Sequence, residues 1–68
     1  MIEIKFDENN NKSIAYDNNI QIGECDYIEA GETWNIVHTE VNNSYQGQGI
    51  ARKLVEKNTK ELRKKACN

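Results

Sequence analysis

The hydrophobic pattern of this chain changes period once, and the change falls at Gly49. Before it, apolar residues alternate with polar ones in short runs, the spacing of half-buried strands. After it, Ile50, Ala51, Leu54, Val55, Leu62 and Ala66 line one helical stripe, with polar Asn58 interrupting it. A period of two followed by a period of 3.6 restricts the chain to strands first and one long helix last. The expected fold class is α+β, an antiparallel β-meander followed by a long amphipathic helix.

The strands can be placed one by one. Ile2, Ile4 and Phe6 alternate with charged residues, and residues 7–11 form a polar, Asn-rich turn. Residues 13–16 form a second strand, closed by Asp17, Asn18 and Asn19. Ile20, Ile22, Cys25 and Tyr27 mark a third, whose alternation slips once near Gly23; a bulge there accounts for the slip. Residues 29–32 make the next turn. In Thr33–Val41, Trp34, Ile36 and His38 are expected on one face and Val37, Thr39 and Val41 on the other. Apolar residues on both faces predict a central strand covered on both sides. In the helix, Glu56 with Lys60 and Glu61 with Lys65 are i,i+4 pairs in the favourable order.

The 68 residues are expected to form one domain, 1–68. A domain of this size buries only about 60 % of its unfolded surface, so self-association as a homodimer would help it. No run approaches the ~18 apolar residues of a membrane span, and the charged N-terminus does not read as a signal peptide. Cys25 and Cys67 lie far apart with neither CxxC nor histidine spacing, which argues against a zinc site or a disulfide framework. Two reduced thiols fit a cytoplasmic protein without a metal.

Charge is unevenly spread. Residues 1–51 hold two lysines against nine acids, a net of −7, and residues 52–68 hold seven basic groups against two acids, a net of +5. Two different surfaces follow.

The junction between the best strand and the helix carries Gly47 and Gly49. Glycine costs backbone entropy, so a pair at this place needs a reason. A helix start offers up to four unpaired N–H groups and a partial positive charge, and a loop without bulky Cβ atoms lets an anion approach them. Arg52 and Lys53 sit within reach of the same anion. Two common phosphate motifs fail here. The dinucleotide fingerprint GxGxxG needs glycine where Arg52 stands, and GxxxxGK[ST] has no match. A strand-to-helix turn with no ligand would use the same two glycines.

Gln46-Gly47-Gln48-Gly49-Ile50-Ala51 fits the pattern [Q/R]-x-x-G-x-[G/A], and "VHTEV" stands directly before it in "NIVHTEVNNSYQGQGIARKLV". Together these resemble the acyl-CoA pyrophosphate loop of the GNAT superfamily of N-acyltransferases, in its small single-domain subgroup. The resemblance implies a partial GNAT-like fold that binds acetyl-CoA and passes its acetyl group to an amine. It implies backbone N–H donors for the pyrophosphate from Gly47 through Gln48, Gly49, Ile50 and Ala51 to Arg52. The pantetheine arm would pair with the backbone near Thr39 and Val41. Family members continue past the long helix into another strand and helix; this sequence stops at Asn68, where that strand is expected, so a truncation, a partner chain or a loss of activity stays open.

Acetyl transfer needs a neutral amine, a donor for the carbonyl oxygen and close positioning. Glu40, at the strand end nearest the implied thioester, is the base candidate. Histidine is a residue type suited to proton transfer, which makes His38 a second candidate, yet on a face with Trp34 and Ile36 it also reads as a packing histidine. Tyr45 is expected to pack under the loop and Cys25 to fill core. A second reading is a catalytically inactive module for CoA or another phosphorylated ligand. A third uses Arg52, Lys53, Lys57, Lys60, Arg63, Lys64 and Lys65 against nucleic acid or an acidic partner; few interleaved aromatics and an acidic whole weigh against it.

Overall fold

A computed structural model of the chain describes residues 1–31 and 33–66, with the side chains of all but Lys65 and Ala66. The expected turn position Glu32, the pairing of Glu61 with Lys65, the stripe position Ala66 and Cys67 lie outside the described residues or side chains. Four strands, β1 (Ile2–Asp7), β2 (Lys12–Asp17), β3 (Ile20–Ala30) and β4 (Thr33–Val41), precede a short 3₁₀ turn (Asn43–Tyr45) and the helix α1 (Ile50–Ala66). The strands pair in sequence order, each antiparallel to the next. This is the α+β meander-and-helix arrangement expected of a partial GNAT-like fold.

Local chemistry explains the turns. Asn18 (φ 51) and Asn19 (φ 72) both take left-handed backbone in the two-residue loop between β2 and β3, as a primed hairpin turn requires. Asp7 closes the first turn by accepting from the Asn10 backbone N–H at 3.3 Å and from its side-chain amide at 2.8 Å.

The helix covers one face of the sheet. Ile50, Leu54, Asn58 and Leu62, four residues apart, are its buried row. Ile50 and Leu54 meet Ala15, Ile22 and Cys25, with Ile2, Ile4, Val41, Tyr45 and Val55 at the margin. Phe6 stacks on Tyr27 with ring centroids 6.0 Å apart. Asn58 does not interrupt this row. It is fully buried, accepts a hydrogen bond from the Ser13 hydroxyl and donates to the Cys25 carbonyl at 2.8 Å. The stripe is narrower than expected, because Ala51 is exposed. Glu56 pairs with Arg52 at 3.2 Å rather than with Lys60.

Two bulges shape the sheet. The β2–β3 register moves from Ala15 opposite Gly23 to Tyr16 opposite Gln21, which leaves Ile22 as the extra residue. This is the slip expected near Gly23. The β3–β4 register moves from Asp26 opposite His38 to Tyr27 opposite Ile36, which leaves Val37 extra. That second bulge corrects the expected faces of β4. Cross-strand partners share a face. Trp34, Ile36, Thr39 and Val41 therefore lie on the helix side, and His38 and Glu40 on the open side. β4 is also not central: it is an edge of the described sheet, with Ile36 40 % and Val37 54 % exposed. Among the described residues, no helix is long and apolar enough to cross a membrane.

Candidate functional site

The end of β4 and the start of α1 meet around an eight-residue connection, residues 42–49. Asn42 opens it. Its backbone N–H donates to the Ile22 carbonyl at 2.7 Å, and its side chain accepts from the Ser44 N–H at 2.9 Å. The 3₁₀ turn then closes through Tyr45 N–H to the Asn42 carbonyl, 2.9 Å. Tyr45 packs against the core margin, and its hydroxyl donates to Asp17, which also accepts from the N-terminal ammonium at 3.0 Å. The Tyr45 hydroxyl and then the N-terminal charge hold the Asp17 carboxyl below its ordinary range; the same hydrogen bond raises the Tyr45 phenol. The loop is thus tied at its base to the β2–β3 hairpin.

Beyond Tyr45 the chain is open. Gln46 is extended, and its side-chain amide turns back to Asn43 at 3.0 Å. Gly47 (φ 86) and Gly49 (φ 73) both occupy left-handed backbone, where L side chains are strained, and nothing lies within 4 Å of where a Cβ would stand on either. The glycines are needed for conformation and leave the space beside the backbone clear. Gly49 accepts the first helical hydrogen bond, from Lys53 N–H at 3.1 Å. Among the described residues, none accepts a hydrogen bond from the amides of residues 47–52. The first helical turn holds no acid, and Ile50, 3 % exposed, anchors it to the core. Gln48, Ala51 and Arg52 are exposed. This end of the chain presents unpaired donors, a positive helix end and a clear approach, the requirements for an anion.

The strand residues divide between the two faces. Thr39 donates to the Cys25 thiol sulfur at 3.3 Å, and Val41 packs at the core margin, both on the helix side. On the outer side of β4, no described strand pairs with their backbone. His38 and Glu40 stand on the open face, His38 Nε2 3.4 Å from Glu40 Oε2, with side chains 53 % and 70 % exposed. His38 is thus not a packing residue of the Trp34 and Ile36 face.

A recess of about 230 Å³ adjoins Glu40, lined by Gln21, Ile22, Gly23, Glu24 and Asn42. Glu24 lies directly opposite Glu40. Two carboxylates in that position repel. Lys12 offsets this by reaching Glu24 Oε2 at 2.7 Å and Asp26 Oδ1 at 3.8 Å. The Lys12 hydrogen bond holds Glu24 below its ordinary range, and the Lys12 ammonium is raised in return. Glu24 is therefore a fixed negative charge, and Glu40 is the freer carboxylate. Sequence reading missed Glu24, Lys12, Asn42 and Asp17. The apolar positions of β3 give no sign of this, because only the register of β3 with β4 sets Glu24 beside Glu40. Among the described residues, no group of three His, Cys, Asp or Glu side chains is arranged to hold a metal.

The family model described as GCN5-related N-acetyl-transferase matches residues 7–68. No curated protein matches the chain.

Proposed function

The chain belongs to the GCN5-related N-acetyltransferase family, and from that premise we propose that it binds acetyl-CoA and transfers the acetyl group to an amine. The observation that carries this reading is the run of unpaired amides at residues 47–52, beside two left-handed glycines with clear space around them. Gly47, Gln48, Gly49, Ile50, Ala51 and Arg52 would hold the pyrophosphate through backbone N–H groups. Hydrogen bonds to a charged acceptor are worth about 1.5–3 kcal/mol each, more than neutral ones. Gln46 sets the loop through Asn43.

The free outer edge of β4 supports the pantetheine assignment, because an extended arm can pair with backbone near Thr39 and Val41. A neighbouring strand on that edge, from a second copy or from a further segment, would form the opposite wall. Acetyl-CoA supplies the acyl thioester. The neutral amine nitrogen bonds to the carbonyl carbon, the carbon–sulfur bond breaks with its electron pair going to sulfur, coenzyme A departs as a thiolate that takes a proton from solvent, and the amine proton must leave. Glu40, solvated and close to the strand end, takes that proton directly or through water, and His38 at 3.4 Å can pass it on. In the recess Glu24 is neutralised by Lys12, so Glu40, with no lysine or arginine partner among the described residues, is the group that favours a cationic acceptor before it loses its proton. Cys25, a buried free thiol, suits a reducing compartment such as the cytoplasm.

The second reading, a CoA-binding module without catalysis, is favoured by the exposure of His38 and Glu40, whose side chains are 53 % and 70 % exposed among the described residues. Amide NMR with acetyl-CoA tests the shared part. Shifts confined to residues 39–41 and 46–52 are expected, with stabilisation of about 2.7 kcal/mol at a hundredfold excess over Kd. A flat response at millimolar ligand refutes both readings. Glu40→Gln separates them: an enzyme using this base slows about 10²–10⁴-fold at unchanged CoA affinity.

A further inference from the structure

A groove of about 490 Å³ lies between α1 and β1. Ile4 and Val55, both half-buried, form its apolar floor. Lys53, Lys57, Lys60 and Arg63 rim it, four cations against one acid, Glu56. Glu56 is engaged by Arg52 at 3.2 Å. Lys57 reaches Glu61 at 3.3 Å, whereas Lys53, Lys60 and Arg63 have no ion-pair partner among the described residues. From Lys53 to Arg63 the rim runs about 15 Å along the helix. β1 borders the groove and is the other edge of the described sheet, with no described strand on its outer side. Its six residues span ~20 Å, a matching length.

The geometry points to a docking site for an extended acidic segment of another protein, paired with the free edge of β1. Its apolar side chains would sit on Ile4 and Val55, and its carboxylates would face Lys53, Lys60 and Arg63. Charge complementarity selects the sign of the partner, and the free strand edge selects its extended shape. The apolar floor selects polypeptide over nucleic acid, since no aromatic side chain lines the groove to stack a base. The site is separate from the backbone cradle at residues 47–52 and uses the opposite edge of the sheet; of its rim, only Lys53 also stands near that loop.

The test is fluorescence anisotropy with labelled Asp-Glu-Leu-Glu-Val-Asp-Glu, the same peptide with Ser for Leu and Val, and a short single-stranded DNA. Salt-sensitive binding of the first peptide is expected, weakened about tenfold or more by Lys60→Glu with Arg63→Glu and also by the Ser replacements. Absence of binding at millimolar peptide overturns the proposal, as does binding that the double variant leaves unchanged. Equal binding of the Ser peptide removes the apolar floor from the argument and overturns it too. Tighter binding of DNA makes the groove a nucleic-acid surface instead. A concentration-dependent dimer in sedimentation, abolished by the double variant, assigns it to a second copy of the chain. Should that variant not fold, amide shifts in the unmodified protein decide: changes at Ile4, Val55, Thr59 and Arg63 support the site, and changes elsewhere refute it.

Discussion

Asn58 is a polar side chain at 0 % exposure in the middle of the helix's buried row. It belongs there because its amide oxygen takes the Ser13 hydroxyl and its amide nitrogen reaches the Cys25 carbonyl at 2.8 Å. One residue thereby joins the helix to β2 and β3 in fixed register. Asn58→Ala leaves both partners buried and adds a small cavity. A loss of about 2–4 kcal/mol is expected from urea unfolding, large for a domain of this size. Ser13→Ala removes one bond and leaves the Asn58 amide oxygen buried without that donor, and should cost about 1–3 kcal/mol. In the sequence, Asn58 was visible as a break in the apolar stripe. Its partners were not, because they lie 45 and 33 residues away. Glu24 is the same case at the candidate site: its residue type was plain, but its position opposite Glu40 depends on pairing.

At the scale of the elements, bulges and glycines decide which groups meet. A Cβ on Gly23 would stand 2.9 Å from the Glu40 carbonyl oxygen and 3.3 Å from Val41 Cγ2. Backbone cannot yield as a side chain can, so Gly23→Ala should push β4 outward. A destabilisation of about 1–3 kcal/mol is expected, with amide shifts along β4. The glycines at positions 47 and 49 answer to a different constraint, since a methyl meets nothing there and the strain is conformational alone. The bulge at Ile22 could be read from the slipped alternation of β3. The bulge at Val37 could not, because Thr33–Val41 carries apolar residues at both parities and any register looks acceptable. The consequence was the wrong face for His38. The helix charges show the same limit: Glu56 had basic residues four places before and after it, and the structure pairs it with Arg52.

At the scale of the whole molecule, Asp17 ties the N-terminus and the β2–β3 hairpin to the turn before the glycine loop, across 28 residues to Tyr45. Because the folded state depresses Asp17, its contribution is complete above the ordinary value of 3.8 and fades as pH falls through the lower folded value. Because the folded state raises Tyr45, that contribution is complete below the ordinary value of 10.0 and fades as pH rises through the higher folded value. Tyr45→Phe should therefore destabilise the protein most between these limits. Urea midpoints compared at about pH 3, 7 and 11 should show the gap to the unmodified protein narrowing at both ends. The order of strands and helix, the turns at asparagine pairs, the bulge near Gly23 and the glycine loop between the last strand and the helix were all determined by sequence alone. Each of these rests on neighbours within a few residues, where side-chain period and backbone preference act directly. Tertiary structure alone decided that β4 is an edge of the described sheet, that His38 and Glu40 share the open face, that Glu24 opposes Glu40, and that basic helix residues rim an apolar groove beside β1. Each of these depends on strand register and helix docking, which are set by distant contacts that a local pattern does not contain.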